Sequence, residues 1–394
     1  MANRTKQTKS KRGSSGRKPA TCATPIQSQQ SFDRQMMQRA IQLATRGMGR
    51  VEPNPMVGCV VTRGRRQIAQ GYHRRLGGPH AEIVALRNCE SPPRGATVYV
   101  TLEPCCHQGK TPPCVDALIE AGVSRVVVAV RDPNPRVKGR GLGKLRRAGI
   151  GVQVGVEKES AWELLAPFAT LQTLHRPYVI AKWAQGLDGG LVTPSGDSPW
   201  ISCGTSREFV HRLRARVDAI VVGSNTVCAD DPQLTARDVP IRRRATRVVL
   251  DSRLRLATGS TLVRTAREVP TIAFTSSHTA SSRKADRLTR RGVEVVGVRE
   301  GKRGLFLADV MRNLADRQMT NVLVEGGPKV LASLFNRKIV DEAFVFVAPR
   351  FIGPKVSRNG DGRIGVGLTP RGVEIARSGV DLRYRWRFAS IDPG

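Results

Sequence analysis

Short apolar runs alternate with amphipathic segments along most of the chain, and this alternation is typical of an α/β protein. In the first half, apolar positions at helical spacing predict a helix that begins near Ser31 and ends before Gly47. Further strands are predicted at 56–62, 65–71, 96–102, 125–130 and 152–156, and further helices at 79–88, 112–121 and 141–148. Strands and helices in this order predict a three-layer α/β sheet.

A second alternating pattern follows a helical link at residues 157–178. The link ends at His175-Arg176-Pro177, where proline discourages helix continuation. Strands of the second half are predicted at 178–184, 219–223, 247–251, 271–275, 293–298, 321–325 and 342–347, and helices at 206–215 and 328–336. Neither half repeats the other, so we expect two domains that divide near Arg176: residues 32–176 and residues 177–394.

The chain of 394 residues carries 65 Lys and Arg against 32 Asp and Glu, so its formal net charge is +33. Such a surplus attracts phosphate groups in nucleic acids, lipids or metabolites, but it does not define a fold. Residues 1–31 hold seven of these basic residues and no acid, so we expect a disordered, solvated tail with weak nonspecific affinity for anions. A nucleic-acid-binding arm and an organelle transit peptide are the alternatives.

No apolar run reaches the roughly 20 residues that a membrane-spanning helix needs, and no apolar segment follows the basic N-terminus. We therefore expect a cytoplasmic protein without membrane association. Eight cysteines in a chain of this length do not indicate a disulfide framework. Three of them, Cys105, Cys106 and Cys114, crowd into one loop, which in a reducing compartment indicates metal binding or catalysis.

A zinc-site pattern surrounds that loop. A catalytic zinc ion takes three protein ligands and keeps one position for water. His80, Cys105 and Cys114 supply one imidazole and two thiolates, and Glu82 follows at a predicted helix start, in the H-x-E…P-C arrangement of zinc deaminases. Cys106 points elsewhere if its neighbour binds the metal. The alternative is a set of ordinary buried cysteines near a helix cap, which four matching residues in order disfavour.

The loop at 104–114 is longer than the common P-C-x-x-C, and in this it resembles the RibD family of bifunctional riboflavin-biosynthesis proteins. The family's P-N-P-x-V-G, G-x-H and D-P-N-P motifs stand at 53–58, 71–73 and 132–135, and the resemblance covers about residues 32–394. It implies a cytidine-deaminase-like domain with Zn²⁺ that removes the 2-amino group of 2,5-diamino-6-(5-phosphoribosylamino)pyrimidin-4-one. The residues implied to bind this phosphorylated pyrimidine are Asn54, His107 and Lys110. Without the resemblance, Asn54 could equally be an ordinary turn residue.

The second half has no G-x-G-x-x-G fingerprint, and its candidate phosphate cradle is the strand–Gly326-Gly327–helix turn. That turn alone is also typical of a plain tight connection. Its surroundings at 178–189, 195–202 and 223–237 resemble the RibD reductase half, which implies a dihydrofolate-reductase-like fold and reduction of the ribosyl chain to ribityl with NADPH. The residues implied to line NADPH are Ala184, Trp200, Thr226, Asp230, Ser252, Gly327, Pro328, Lys329, Val330 and Leu331. Those implied to hold the substrate are Lys182, Ser198, Arg214, Leu234, Arg237 and Glu325.

Arg214 and Arg237 also make sense independently, because guanidinium groups grip phosphate with two hydrogen bonds, although they are two among very many arginines. Two other functions stay open. A nucleic-acid-directed deaminase with a basic binding domain would explain the net charge, although 4 Trp, 4 Tyr and 10 Phe are a thin supply for base stacking. A deaminase with a non-catalytic second domain would explain Gly190, since the family usually has Arg or Lys there. We expect a homo-oligomer.

Overall fold

A computed structural model of the chain describes Met1 and residues 25–388, except for 108–111, 135–136, 192–199, 303 and 354–367. Two candidate site residues, Lys110 and Ser198, lie outside the described residues, as does most of the predicted basic tail. Within the part that is described, no helix is long and apolar enough to cross a membrane.

The described residues form twelve α-helices and sixteen strands, and one 3₁₀ turn at Thr45–Gly47. The helices are α1 (Pro25–Ala44), α2 (Ala81–Arg87), α3 (Cys114–Glu120), α4 (Arg140–Arg147), α5 (Lys158–Leu174), α6 (Gly204–Arg214), α7 (Ser224–Asp230), α8 (Thr261–Arg264), α9 (Ser277–Ala280), α10 (Arg283–Arg290), α11 (Leu307–Asp316) and α12 (Pro328–Asn336). The strands are β1 (Gly58–Arg63), β2 (Arg66–Tyr72), β3 (Thr97–Leu102), β4 (Arg125–Val130), β5 (Gly151–Val154), β6 (Tyr178–Gln185), β7 (Ala219–Gly223), β8 (Thr246–Leu250), β9 (Thr271–Ser276), β10 (Val293–Val298), β11 (Glu300–Gly301), β12 (Gly304–Leu305), β13 (Asn321–Val324), β14 (Glu342–Val347), β15 (Gly372–Ser378) and β16 (Asp381–Arg387).

The first sheet has the order β2-β1-β3-β4-β5, in which β1 is antiparallel to both neighbours and β3, β4 and β5 are parallel. Side chains of α2, α3 and α4 form one apolar cluster with one face of the sheet, and those of α1 and α5 form a second cluster with the other face. Because both faces are covered, β3 and β4 read as continuous apolar runs. The predicted three-layer architecture is confirmed.

Helix α1 begins at Pro25, six residues before the predicted start near Ser31, so helical structure includes the last part of the predicted tail. Proline is favoured in the first turn of a helix, where its missing N–H costs no hydrogen bond. Further along, the Gln29 amide donates to Asp33 at 2.8 Å. Asp33 is buried and pairs with Arg125 at 2.5 Å, which anchors the helix to β4.

The second sheet has nine strands in the order β10-β9-β8-β7-β13-β6-β14-β16-β15, of which the first seven are parallel. Helices α11 and α12 cover one face, and α6, α8 and α10 cover the other. Strands β7 to β10 follow β6 in sequence and lie on one side of it, and β13 then returns to a position between β6 and β7. A return of this kind creates a crevice at the carboxyl ends of the strands, where α/β proteins usually bind ligands.

The antiparallel edge formed by β15 and β16 was not predicted, nor were the short strands β11 and β12 or the helices α7–α11. In β16 apolar residues alternate with arginines, and its partner β15 is the free edge of the sheet. Charged residues on an edge strand weaken the apolar signal that marks a strand.

Candidate functional site

The three predicted zinc ligands come together at one end of the first sheet. His80 is the N-cap residue of α2, Cys114 is the first residue of α3, and Cys105 lies in the loop after β3. The Nδ1 atom of His80 lies 3.2 Å from the Cys114 sulfur and 3.5 Å from the Cys105 sulfur, and all three ligand atoms lie within 4.8 Å of one another. Tetrahedral zinc geometry puts its nitrogen and sulfur ligands about 3.5 Å apart, so this set fits a zinc ion.

Hydrogen bonds within the cluster favour thiolate, the form of cysteine that binds metals, at Cys105, whereas the hydrogen bond between the two cysteines raises the pKa of the Cys114 thiol. The Cys114 thiol and the His80 ring both hydrogen-bond Cys105, and these bonds lower the pKa of the Cys105 thiol. The backbone N–H of Cys114 also donates to the Cys105 sulfur at 3.3 Å. The start of α3 therefore stabilises negative charge at the point where the predicted ligands meet.

Glu82 lies in the first turn of α2, beside this cluster, and only 3% of it is exposed. Burial raises the pKa of its carboxyl group to about 6. A carboxyl group with a pKa near neutrality can both accept and return a proton, as a general acid–base catalyst must.

A cavity of about 390 Å³ opens over the cluster, which is within the usual range for small-molecule sites. Its lining includes the predicted residues His80, Glu82, Cys105, Asn54 and His107. It also includes side chains to which the sequence analysis gave no role: His73, Glu103, Asp132, Asn134, Phe168 and Gln172. Three of these, His73, Asp132 and Asn134, stand in the G-x-H and D-P-N-P motifs, and those motifs were the signal that could have found them.

Asn54 and His73 form a hydrogen-bonded pair on the cavity wall. The amide nitrogen of Asn54 lies 3.3 Å from Nε2 of His73, whose Nδ1 lies 3.0 Å from the Pro79 carbonyl oxygen. A proton on Nδ1 satisfies both contacts, and burial lowers the pKa of His73, which favours this neutral ring. Gly71 lets α2 pack closely here, because a Cβ atom at that position would lie 2.4 Å from the Ala85 nitrogen.

A second cavity, of about 280 Å³, lies at the carboxyl ends of β7 and β8, where the turn after β13 enters α12. Six residues that the sequence analysis assigned to NADPH line it: Thr226, Ser252, Gly327, Pro328, Lys329 and Val330. Four others do not line it. Leu331 is buried in the core, Ala184 is half-buried near the end of β6, and Trp200 and Asp230 are exposed.

Arg255 also lines this cavity and was missed in the sequence. Its guanidinium donates to the Ser224 hydroxyl at 2.5 Å and to the Asn225 side-chain oxygen at 2.7 Å. Together with Lys329 it gives the cavity two cations, which suits a phosphorylated cofactor.

Glu325, directly after β13 and two residues before Gly327 of the second cavity, forms a bidentate ion pair with Arg214. Arg214 donates from Nε and Nη2 to the two carboxylate oxygens, at 2.6 and 2.9 Å. Burial alone would raise the pKa of Glu325, but the adjacent guanidinium outweighs it and holds the pKa below its usual value. Lys182 interacts electrostatically with both partners, and burial lowers the pKa of its ammonium group.

The predicted Leu234 and Arg237 lie on a loop that touches this ion pair, since Arg214 also donates to the Thr235 carbonyl oxygen at 3.2 Å. Leu234 is buried and has a positive φ of 52°. The backbone N–H of Arg237 donates to Nδ1 of His211 at 3.2 Å, a contact that the sequence did not reveal.

Gly190 departs from the family pattern for a packing reason. A Cβ atom at this position would lie 2.8 Å from the Cβ atom of Ile352 and 3.0 Å from the Gly353 carbonyl oxygen. The backbone N–H groups of Ile352 and Gly353 donate to Asp188, at 3.0 and 2.6 Å. These hydrogen bonds hold residues 352–353 against the turn at Asp188. A longer side chain at position 190 therefore requires that segment to move.

A zinc-binding deaminase domain followed by a reductase domain defines a class of two-domain enzyme, and comparisons with known proteins place the chain in that class. Residues 30–130 match the family described as the cytidine and deoxycytidylate deaminase zinc-binding region, and residues 177–381 match the RibD C-terminal domain. The chain belongs to the RibD family of riboflavin biosynthesis proteins. It is accordingly a bifunctional deaminase and reductase of that pathway, with zinc and NADPH as its cofactors.

Relatives match over nearly the whole chain. Riboflavin biosynthesis protein RibD of Aquifex aeolicus is 41% identical over 89% of this chain and 95% of its own length, and that of Escherichia coli is 39% identical over 82% and 89%. A solved deaminase/reductase from Thermotoga maritima is 36% identical with a TM-score of 0.79, covering 92% of this chain and 100% of its own. The solved structure of Acinetobacter baumannii RibD is 33% identical with a TM-score of 0.77, and it covers 91% of this chain and 99% of its own. The family assignment disfavours a nucleic-acid-directed deaminase.

Proposed function

We propose that the chain removes the 2-amino group of 2,5-diamino-6-(5-phosphoribosylamino)pyrimidin-4-one and then reduces the ribosyl chain of the product to ribityl with NADPH. The similar protein from Thermotoga maritima is a diaminohydroxyphosphoribosylaminopyrimidine deaminase and a 5-amino-6-(5-phosphoribosylamino)uracil reductase, which supports these substrates. The observation that carries the proposal is the convergence of the His80, Cys105 and Cys114 ligand atoms beside a cavity that Glu82 also lines.

In the deaminase site, His80, Cys105 and Cys114 are proposed to hold the metal. A zinc ion in such a site supplies a water molecule whose pKa is lowered to near neutrality. Glu82 accepts a proton at its carboxylate and returns it to the departing amino nitrogen, so that ammonia leaves. Its burial supports this role, because burial brings the pKa of the carboxyl group close to neutrality.

Asn54 and His73 are proposed to bind the edge of the pyrimidine ring. The hydrogen bond to His73 fixes the amide of Asn54, which leaves its oxygen free to accept a ring N–H. His107 is exposed at the cavity and suits the phosphate end of the substrate. Lys110 follows three residues later in the chain and would add a cation to the same end.

In the reductase site, the second cavity is proposed to bind NADPH, which supplies a hydride to C1 of the ring-opened ribose. The N-terminus of α12 and its two glycines suit the pyrophosphate, because the first N–H groups of a helix attract anions. Lys329 and Arg255 supply cations for the remaining phosphate. The other residues proposed to contact the cofactor are Ala184, Trp200, Thr226, Asp230, Ser252, Pro328, Val330 and Leu331.

The substrate is proposed to lie between this cavity and the Glu325 ion pair. Glu325 and Lys182 offer an acceptor and a donor to ribose hydroxyl groups. The Arg214 guanidinium donates to Glu325 from Nε and Nη2 and to the Thr235 carbonyl oxygen from Nη1, so we assign the phosphate mainly to the exposed Arg237. Leu234 shapes the loop that presents it, and Ser198 completes the substrate set.

A coupled assay with the diaminopyrimidine phosphate tests the order of the two steps. We expect ammonia release first and NADPH oxidation only afterwards. Glu82→Gln should lower ammonia release by at least about a thousandfold while zinc stays near one per chain, because the variant loses proton transfer and keeps the ligands. The same variant should still oxidise NADPH when given the deaminated substrate. NADPH oxidation before deamination, or loss of zinc in Glu82→Gln, contradicts the assignment.

We also propose that residues 32–176 and 177–394 form two domains, each with its own core and site, that the chain is a cytoplasmic homo-oligomer, and that residues 1–31 bind anions weakly. Exposed apolar side chains near the free edge strand β15 support association: Val373, Ile375, Val380 and Leu382. Light scattering on the full chain and heparin binding before and after deletion of the tail test these points.

A further inference from the structure

The two halves of the chain meet where residues 45–52 contact Arg216, just after α6, and Arg242 and Arg243 in the loop between α7 and β8. The Arg216 guanidinium lies 3.3 Å from the Met48 sulfur. Gly49 has a φ of 75°, and a Cβ atom there would lie 3.0 Å from the Cβ atom of Arg242. Close backbone approach of this kind leaves little freedom for one loop to move without the other.

Arg243 joins two buried carboxylates across this contact. Its Nη1 atom lies 3.3 Å from Oε2 of Glu52 in the first half, and its Nε atom lies 2.9 Å from Oδ1 of Asp218 in the second. Both carboxylate residues are buried, whereas the Arg243 side chain is 32% exposed. Two buried carboxylates near one another require a compensating cation, and Arg243 is that cation.

Glu52 in turn holds the turn that carries Asn54. Its Oε1 atom accepts the backbone N–H of Gly49 at 2.9 Å, which closes the loop on its N-terminal side. The Asn54 N–H donates to the Val51 carbonyl oxygen at 2.9 Å, and the Asn54 side chain reaches His73 on the cavity wall. A series of contacts along this turn therefore links Arg243 to Asn54, which lines the deaminase cavity.

We infer that Arg243 is a positioning residue for the deaminase site, although it belongs to the reductase half. Every described residue that lines the deaminase cavity lies between Asn54 and Gln172, so Arg243 acts only through Glu52 and the turn. The inference rests on the proposed role of Asn54 in binding the pyrimidine edge. It means that the reductase half tunes the affinity of the deaminase half for its substrate.

Steady-state ammonia release by the full-length, zinc-loaded chain tests this link. Arg243→Met should raise the KM for the diaminopyrimidine phosphate about tenfold, since a displacement of about 1 Å at a binding group can cost still more. The kcat, the zinc content and the rate of NADPH oxidation with deaminated substrate should stay unchanged. Arg243→Lys, which keeps the charge, should recover part of the lost affinity.

Arg244→Met is the matched control, because Arg244 is exposed and donates to the Glu268 carbonyl oxygen within the second half. Glu52→Gln tests the contact between Arg243 and Glu52 from the other partner. It removes a buried charge, leaves Arg243 paired with Asp218, and avoids an unpaired buried carboxylate. We expect its KM effect to match that of Arg243→Met, and the double variant to show no further increase.

The outcomes separate the two proposals. A wild-type chain that releases no ammonia overturns the proposed function, whatever the variants do. Normal ammonia release with the same KM in Arg243→Met and Arg244→Met overturns the positioning role alone. Additive effects of Glu52→Gln and Arg243→Met, or a fall in kcat together with zinc loss, also overturn it, because they indicate a general structural defect.

Discussion

Each candidate site contains a glutamate next to the proposed chemistry, yet the two glutamates have different partners. Burial raises the pKa of Glu82 to about 6, whereas Arg214 holds the pKa of Glu325 below its usual value despite burial. A carboxyl group that titrates near neutrality can exchange protons, and one that stays ionised can only accept hydrogen bonds. The difference shows how one guanidinium decides between proton transfer and positioning for the same side chain.

The sites also differ in how their residues are distributed. The deaminase ligands come from the starts of two helices and one intervening loop, so short-range spacing defines them. The reductase residues are spread between Lys182 and Leu331 over strands, helix ends and loops, and they meet because β13 returns between β6 and β7. One site depends on local motifs and the other on sheet topology.

The largest effect is expected at the metal site. Cys105→Ser should remove zinc and all ammonia release, because serine does not replace a thiolate ligand, while the reductase half keeps its rate. Cys106→Ser is the matched control, since Cys106 packs against the apolar core rather than joining the ligand cluster. Metal analysis and the two separate assays measure the outcome. Zinc loss in the control, or loss of both activities in soluble Cys105→Ser, would contradict the independence of the sites.

Arg214→Met should raise the pKa of Glu325, so that this carboxyl group resembles that of Glu82. Truncating a buried charge pair costs about 3 kcal/mol, so kcat/KM for reduction should fall roughly a hundredfold. Without Arg214, burial is opposed only by the smaller effects of Lys182 and His211, so the pKa of Glu325 rises and the acid limb of the reductase pH profile should move to higher pH. Arg212→Met, which lies on the same helix and contacts the exposed Glu208, is the control. An unshifted acid limb would show that the guanidinium does not set the ionisation of Glu325.

Much of the fold was predictable because buried strands read as continuous apolar runs. Strands β4, β7, β10 and β14 and helix α12 begin and end at the predicted residues. Two of the unpredicted elements lie where that signal fails: β16 alternates arginines with apolar residues, and α10 is mostly charged. Their positions depend on packing against the sheet rather than on local composition.

Candidate residues were predictable where one short motif places them together, as with His80 and Glu82. Contacts between distant segments could not be predicted from the sequence. Arg243 and Glu52 are 191 positions apart, and Arg255 is one arginine among very many. Only the folded chain shows which of these arginines meets a carboxylate or a cavity.

A smaller effect is expected at the cofactor cavity. Arg255→Leu should raise the KM for NADPH about tenfold, as for the loss of one charge-assisted contact, and leave the KM for NADH unchanged, because only NADPH carries the additional phosphate. Arg253→Leu is the control, since Arg253 is exposed and does not line the cavity. Equal losses with both cofactors would place Arg255 at the shared pyrophosphate instead.

The smallest effect is expected on the free energy of unfolding of the first domain, through Asp33. Hydrogen bonds from Arg125, Tyr99 and Gln29 outweigh burial and lower the pKa of Asp33. A carboxylate with a lowered folded-state pKa stabilises the fold above its unfolded-state pKa of about 3.9, and this contribution is lost as the pH falls through the folded-state value.

Asp33→Asn should therefore destabilise the first domain by about 2 kcal/mol at pH 7. The difference in free energy of unfolding between variant and wild type should decrease below about pH 4. Asp116→Asn, which removes an exposed ion pair with Lys144, should change little. Urea unfolding at both pH values measures the difference, and NADPH oxidation by the second half should be unaffected at neutral pH. A gap that widens in acid would mean that the ionised form of Asp33 opposes folding, and α1 would then be anchored by its apolar contacts alone.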